Sequence, residues 1–303
     1  MYEYWCELEI VRLHIFSEFL LKDGMLKYEE KIEKDNKEVV NLYLHHYTNR
    51  QCVSYHSHTY REKMMSQKGF YIGHHFGDKA YLRIENNEIH LCSNNYNRII
   101  WSYVVKYVLT IKCLEYGWLH LKAAAVDYNN EIYIIFGRGG SGKTELIKKM
   151  SSFGGKIISN THLIVREKDI IGIESNIRVR DDEGLDFYLP PEKCFDNCEF
   201  GKNIHPVKAL IWCNYRNDKN GMITEMKTDY MLSLVRKFGN ALDAWELKED
   251  VFDYYLSDPV LISQKLIQND TLLKDLIRNR KNYYFNLNVF ESEDSDKLLN
   301  FLK

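Results

Sequence analysis

Residues 132–150 read IYIIFGRGGSGKTELIKKM, and no other stretch of the chain limits its fold so narrowly. Ile132, Ile134, Ile135 and Phe136 make an apolar run suited to a buried strand, while Leu146, Ile147 and Met150 recur at helical spacing after Glu145. Between the two lie four glycines in the six residues 137–142. Gly137, Gly142, Lys143 and Thr144 fit G-x-x-x-x-G-K-[ST], and the strand and helix that this pattern needs are both in place. Glycine lacks a Cβ, so it reaches positive φ and lets backbone N–H groups turn inward around an anion. The N-terminus of the following helix adds its positive end. The segment therefore predicts a phosphate cradle made of Gly137, Arg138, Gly139, Gly140, Ser141, Gly142, Lys143 and Thr144. Lys143 is expected on the β- and γ-phosphates and the Thr144 hydroxyl on Mg²⁺, with ATP or GTP as the nucleotide.

A chain of 303 residues with 45% hydrophobic content has room for one large or two ordinary domains. Its 41 basic and 43 acidic residues nearly cancel. No global field then favours nucleic acid or an anionic membrane. The opening MYEYWCELEI has acids where an export signal has bases. The densest apolar segment, 99–114, is broken by Lys106 and Lys112, short of a spanning helix. These features lead to the expectation of a cytoplasmic protein whose seven cysteines are reduced thiols.

Before about residue 95 the pattern is strand-like, over 2–15, 39–47, 71–75, 80–84 and 88–92, with Asn86-Asn87 as a hairpin turn. The charged stretch 22–37 reads as either an amphipathic helix or a loop. The expected organisation is a small β-rich N-terminal domain, 1–97, followed by an α/β domain, 98–303. Within the latter, 98–116 predicts a buried helix capped by Gly117, and 118–127 with 131–136 predicts a hairpin around Tyr128-Asn129-Asn130. Further strands are expected at 156–158, 163–166, 170–173, 207–213 and 283–290, and helices at 231–242, 259–278 and 294–302.

The loop, the hairpin before it and the strand after it resemble the HPr kinase group, which is related to phosphoenolpyruvate carboxykinase. In that group a segment of the type L-H-x-x-x-V-D leads into the hairpin and phosphate loop, and a strand ending in an Asp-Asp pair follows the loop helix. The corresponding stretches here are LKAAAVDY, FGRGGSGKTEL and GGKIISNTHLIV. The resemblance covers roughly 118–180, is looser to the end of the chain, and is closer to the small HPr-kinase-like proteins found with peptide natural-product genes. It implies a P-loop kinase-like domain with a mixed sheet and transfer of a γ-phosphoryl group to a hydroxyl of a peptide or small molecule. It also admits a homo-oligomer.

The departures fall on chemistry. Lys122 stands at the family's histidine, and Asn160 and Thr161 stand at its Asp-Asp pair. An amide cannot take a proton, so Asn160 is expected to hold a metal-bound water or orient the nucleophile, Thr161 to act similarly, and His162 to serve as base. Lys122 would add a second cation beside the phosphates. The competing expectation is that Lys122 and His162 are outward-facing strand residues. Arg178 and Arg180 lie two apart on one strand face, suited to a shared anion, with Asp181 and Asp182 as further carboxylates or a surface ion-pair partner. The histidines at 45–46, 56, 58 and 74–75, and Cys194 with Cys198 and His205, lack a full set of ligands at zinc spacing. Two other classes stay open beside the kinase: a nucleotide-binding regulatory or scaffold module that has lost transfer, and a P-loop NTPase that drives a partner.

Overall fold

A computed structural model describes residues 1–32, 36–46, 63–66, 69–72, 80–85, 87–93, 96–180, 186–215, 221–254 and 258–303. The chain forms two compact units, Met1–Lys112 with Ser175–Leu189, and Cys113–Glu174 with Pro190–Lys303. This division differs from the expected split at 97/98 in two places. The helical segment after Tyr96 stays with the first unit as far as Lys112, and 175–189 returns to it.

The first unit holds a seven-stranded sheet. Its strands are β1 (Tyr2–Glu7), β2 (Val11–Ser17), β3 (Glu38–His45), β4 (Lys63–Ser66), β5 (Gly69–Ile72), β6 (Ala80–Glu85) and β7 (Glu88–Ser93), in the order β1-β2-β3-β7-β6-β5-β4. The single strand expected over 2–15 is two, because the chain turns at Leu8–Ile10 with Glu9 at φ 64. Alternation puts Leu13, Ile15, Leu42, Leu44, Leu82 and Leu91 inside. The described part of the charged stretch, 22–32, holds no helix and pairs with β1 through Trp5 and Glu29. His56, His58, His74, His75 and Asn86 lie outside the described residues.

The buried helix expected over 98–116 runs as α1 (Tyr96–Ile99), a π-helical turn (Ile100–Val105) and α2 (Lys106–Tyr116). Its charge at Lys112 is tolerated inside because Lys112 Nζ donates to Glu38 Oε1 at 2.7 Å. Gly117 ends the helix at φ 69, and Trp118 N donates back to Cys113 O at 2.7 Å.

The second unit is mixed α/β. Its elements begin with β8 (Leu119–Lys122), β9 (Ala124–Tyr128), β10 (Glu131–Phe136), α3 (Lys143–Ser152), β11 (Lys156–Ser159), β12 (His162–Val165) and β13 (Ile170–Gly172). After the first unit's hairpin of β14 (Ile177–Arg180) and β15 (Asp186–Leu189), it resumes with β16 (Gly201–Asn203), β17 (Val207–Cys213), β18 (Met222–Glu225), α4 (Thr228–Phe238), α5 (Ala241–Ala244) and α6 (Lys248–Tyr254). It closes with α7 (Pro259–Arg278), β19 (Lys281–Asn286) and α8 (Ser292–Leu302). One sheet has the order β11-β9-β10-β17-β19-β18, with β10, β17 and β19 parallel to one another. The other is antiparallel, in the order β16-β13-β12-β8.

The strand expected over 118–127 is divided between the two sheets, which trade places at Ala123. Lys122 N donates to Gly239 O at 2.7 Å and Ala123 N to Thr161 O at 3.0 Å, so neither sheet continues through that residue. The hairpin β9–β10 turns at Asn129 and Asn130, both at positive φ, as expected. The helix expected over 231–242 is broken at Gly239, where a Cβ would lie 2.7 Å from Phe136 Cδ1. The strand expected over 283–290 ends at Asn286. Ile132, Ile134 and Phe136 pack with Leu210, Val235 and Leu273 in one core that supports the loop after β10. Among the described residues no helix is long and apolar enough to cross a membrane.

Candidate functional site: a glycine cradle between two lysines

Strand β10 is buried along Ile132–Phe136 and lies beside the parallel strand β17. Open α/β sheets leave a crevice beyond the carboxyl ends of such strands. The glycine loop occupies that end. Gly140 sits at φ 73 and Gly142 at φ 83, the latter as the residue before α3. A Cβ on Gly142 would approach Tyr215 Cβ to 2.8 Å, and one on Gly137 would approach Ser141 Oγ to 2.4 Å. At Gly139 and Gly140, in contrast, nothing among the described residues lies within 4 Å of the Cβ position. The loop is thus packed tightly underneath and open above. Tyr215 N and the Cys213 thiol both donate to Ser141 O, at 2.8 and 3.1 Å, which ties the loop to the end of β17. Ser141 Oγ is buried and has no hydrogen-bond partner among the described residues.

Lys143 Nζ folds back over the loop and donates to Gly137 O at 2.7 Å and to Arg138 O at 2.9 Å. Burial pushes this ammonium down to about 8, and the charge of Lys122 adds to the depression. The thiol of Cys213, which also acts on Lys143, is itself pushed up to about 12 by burial and is neutral at neutral pH. Burial lowers Lys122 as well. Among the described residues no carboxylate lies within ion-pair distance of either lysine. Arg138 extends instead over the Phe238 ring, 4.4 Å from its centroid.

Asn160 and Thr161 form the turn from β11 to β12 and are partly exposed. Through the bond from Ala123 N to Thr161 O, this turn adjoins the β8–β9 crossover next to Lys122. His162 is directly opposite Lys122 in the β8–β12 pair. It is not outward-facing. His162 has no exposed surface, lies 2.9 Å from His120 Nε2 through its Nδ1, and stacks against Trp245 at a centroid separation of 4.6 Å. The structure therefore brings Lys122, Asn160, Thr161 and His162 together, and the charge of Lys122 reaches Lys143.

Arg178 and Arg180 are both on β14, in the first unit, and Arg178 is exposed and opposite Tyr188. Asp181 and Asp182 lie outside the described residues. Asp127, the acid of the LKAAAVDY segment, is buried at the opposite end of β9 from the crossover, where it accepts from His205 at 2.6 Å and Asn203 at 3.0 Å. That pairing takes His205 away from the two cysteines. Neither Cys194 nor Cys198 nor any other described cysteine is in a disulfide, and no cluster of metal-ligating side chains occurs among the described residues.

Cys213, Tyr215, Leu287, Val289 and Phe290 were not expected at the site. Together with the loop they line a cleft of about 380 Å³. Their sequence signal was position alone, just beyond the carboxyl ends of strands parallel to β10. No protein-family model matches this chain, and no curated protein matches it at a significant level.

Proposed function

We propose that the second unit is a P-loop kinase-like domain that binds a nucleoside triphosphate on 137–144 and passes its γ-phosphoryl group to a hydroxyl of a peptide or small molecule. One observation carries this reading. Two partly buried lysines, Lys122 and Lys143, are both held below their ordinary proton affinity by burial, the charge of Lys122 adding to the lowering of Lys143, and no described carboxylate is paired to either, while the glycine cradle at Lys143 is open. Burial without a counterion disfavours an ammonium, and a bound polyphosphate relieves that cost. The resemblance to the HPr kinase group supports the same assignment.

Lys143 and the backbone N–H groups of the loop hold the β- and γ-phosphates, and Ser141 Oγ supplies a hydroxyl without another partner. Lys122 offsets the charge that spreads onto the γ-phosphoryl oxygens as the bond to the β-phosphate breaks and the bond to the acceptor oxygen forms, the nucleoside diphosphate leaving and the acceptor's hydroxyl proton passing to water. Asn160 and Thr161, partly exposed beside Lys122, orient the acceptor hydroxyl. His162 packs behind them and supports the turn. The donors present suit Mg²⁺, which takes few protein ligands and keeps several waters: Thr144 offers a hydroxyl and Asn160 an amide oxygen. When bound, the ion supplies charge neutralisation between the β- and γ-phosphates.

A second reading is favoured by the acids that are missing. Asn160 and Thr161 replace a carboxylate pair, and Glu145 is the one carboxylate lining the loop cleft among the described residues. On that reading the unit binds the nucleotide and regulates or scaffolds without transfer. Incubation with γ-labelled ATP or GTP, Mg²⁺ and an extract of the cell of origin separates the two. Label moving to an acceptor supports the kinase. Tight nucleotide binding with no labelled product supports the second reading, and no nucleotide binding removes both.

A further inference from the structure

The loop cleft has a second wall that phosphate binding does not use. Leu287 and Val289 are almost fully buried, and Phe290, which lines the cleft with them, has 71% of its surface exposed. An exposed phenylalanine on a mobile turn would carry no argument, but this turn is pinned on several sides. Asn288 N donates to Asp294 Oδ2 at 2.8 Å, Ser295 Oγ donates to Val289 O at 2.9 Å, and Phe290 N donates to Asn288 Oδ1 at 3.2 Å. Tyr215 lines the same cleft and is tied to the loop by its backbone N–H, which donates to Ser141 O at 2.8 Å. An aromatic residue on a hydrogen-bonded turn therefore borders the same cleft as the phosphate cradle, in the same compact unit.

Resting on the nucleotide reading above, we infer that Phe290, which lines the cleft together with Leu287, Val289 and Tyr215, is a base-stacking subsite that accepts purines without distinguishing adenine from guanine. Stacking is tolerant of base identity because every base presents a π-face. Reading guanine requires an acceptor for its N1–H and exocyclic amine, whereas reading adenine requires a donor and acceptor pair. The cleft lining supplies apolar and aromatic side chains on this wall. Its one described carboxylate, Glu145, follows Thr144 at the start of α3, on the phosphate side.

The test is calorimetric, on the full chain with Mg²⁺, using ATP, GTP and inorganic tripolyphosphate against wild type, Phe290→Ala and Phe290→Trp. Wild type is expected to bind ATP and GTP within about three-fold of each other. Phe290→Ala is expected to weaken both by roughly ten-fold while leaving tripolyphosphate unchanged, and Phe290→Trp to restore them. Phe290 is exposed, so thermal unfolding should be the same in all three proteins. Equal weakening of all three ligands, or no weakening of either nucleotide, overturns the subsite while tripolyphosphate binding by wild type keeps the nucleotide reading. A large preference of wild type for one purine overturns the lack of discrimination. Failure of wild type to bind any of the three overturns both inferences together.

Discussion

Lys122 and His162 face each other across the antiparallel pair β8–β12, yet Lys122 is partly exposed while His162 has no exposed surface. Cross-strand partners share a sheet face. The difference comes from Trp245, which stacks on His162 and lies tilted against His120, with His120 itself 2.9 Å from His162 Nδ1. On the proposed reading, a group closed off in this way supports the turn holding Asn160 and Thr161 instead of meeting an acceptor.

His162→Ala is therefore expected to act on stability. Removing a fully buried ring from this cluster should cost about 2–4 kcal/mol, measured by denaturant unfolding, with the transfer rate per folded molecule retained. Loss of turnover with an unchanged unfolding midpoint would make His162 the base after all.

Lys143→Met should weaken triphosphate binding by roughly 10- to 100-fold, the range for losing charge-assisted hydrogen bonds. Lys122→Met should weaken it less, and should also raise the proton affinity of Lys143, because one cause of its depression is then absent. Titration of the lysine side-chain resonances checks the second effect. An unmoved Lys143 in Lys122→Met would show that the two charges do not meet.

The pH dependence follows from the same shift. Lys143 in the free protein titrates at about 8, below its ordinary 10.5. A bound polyphosphate stabilises the ammonium, so above about pH 8 binding takes up a proton and affinity falls as pH rises, by at most about ten-fold per pH unit. For folding the sign is opposite. Between about 8 and 10.5 the unfolded chain holds the proton that the native state has lost, so this lysine makes stability rise with pH across that window and leaves it level below. Calorimetry in buffers of different ionisation enthalpy measures the uptake. Nucleotide affinity that is flat from pH 7 to 10 would contradict the placement of Lys143.

Gly142→Ala should damage both folding and binding. The residue sits at φ 83, where an L side chain costs roughly 1–2 kcal/mol, and its new Cβ would press on Tyr215 at 2.8 Å. Gly139→Ala is the matched control for folding, since nothing lies within 4 Å of its Cβ position. It should keep the unfolding temperature while narrowing the cradle. Equal stability of Gly142→Ala and wild type would mean that the loop has another conformation.

Much of this unit could be read from local chemistry. The β10 strand, the Asn129-Asn130 turn, the glycine loop and α3 are each set by residues adjacent in sequence, and they stand where the pattern put them. What could not be read depends on distant partners. LHLKAAAVDY reads as one continuous strand, and nothing in it announces that Gly239 O and Thr161 O divide it between two sheets. The burial of His162 is decided by Trp245, from a separate helical segment, and no periodicity around residue 162 could reveal it. Leu287 to Phe290 looked like the end of a strand because three of the four residues are apolar. Asp294 and Ser295 of α8 instead hold this segment as a turn.

The most direct measurement is titration calorimetry of the folded full chain with Mg²⁺ and ATP or GTP, beside Lys143→Met under the same conditions. The account expects one nucleotide bound per chain by wild type and a marked loss of affinity in the variant. Absence of heat with both nucleotides, or equal binding by Lys143→Met, would contradict it.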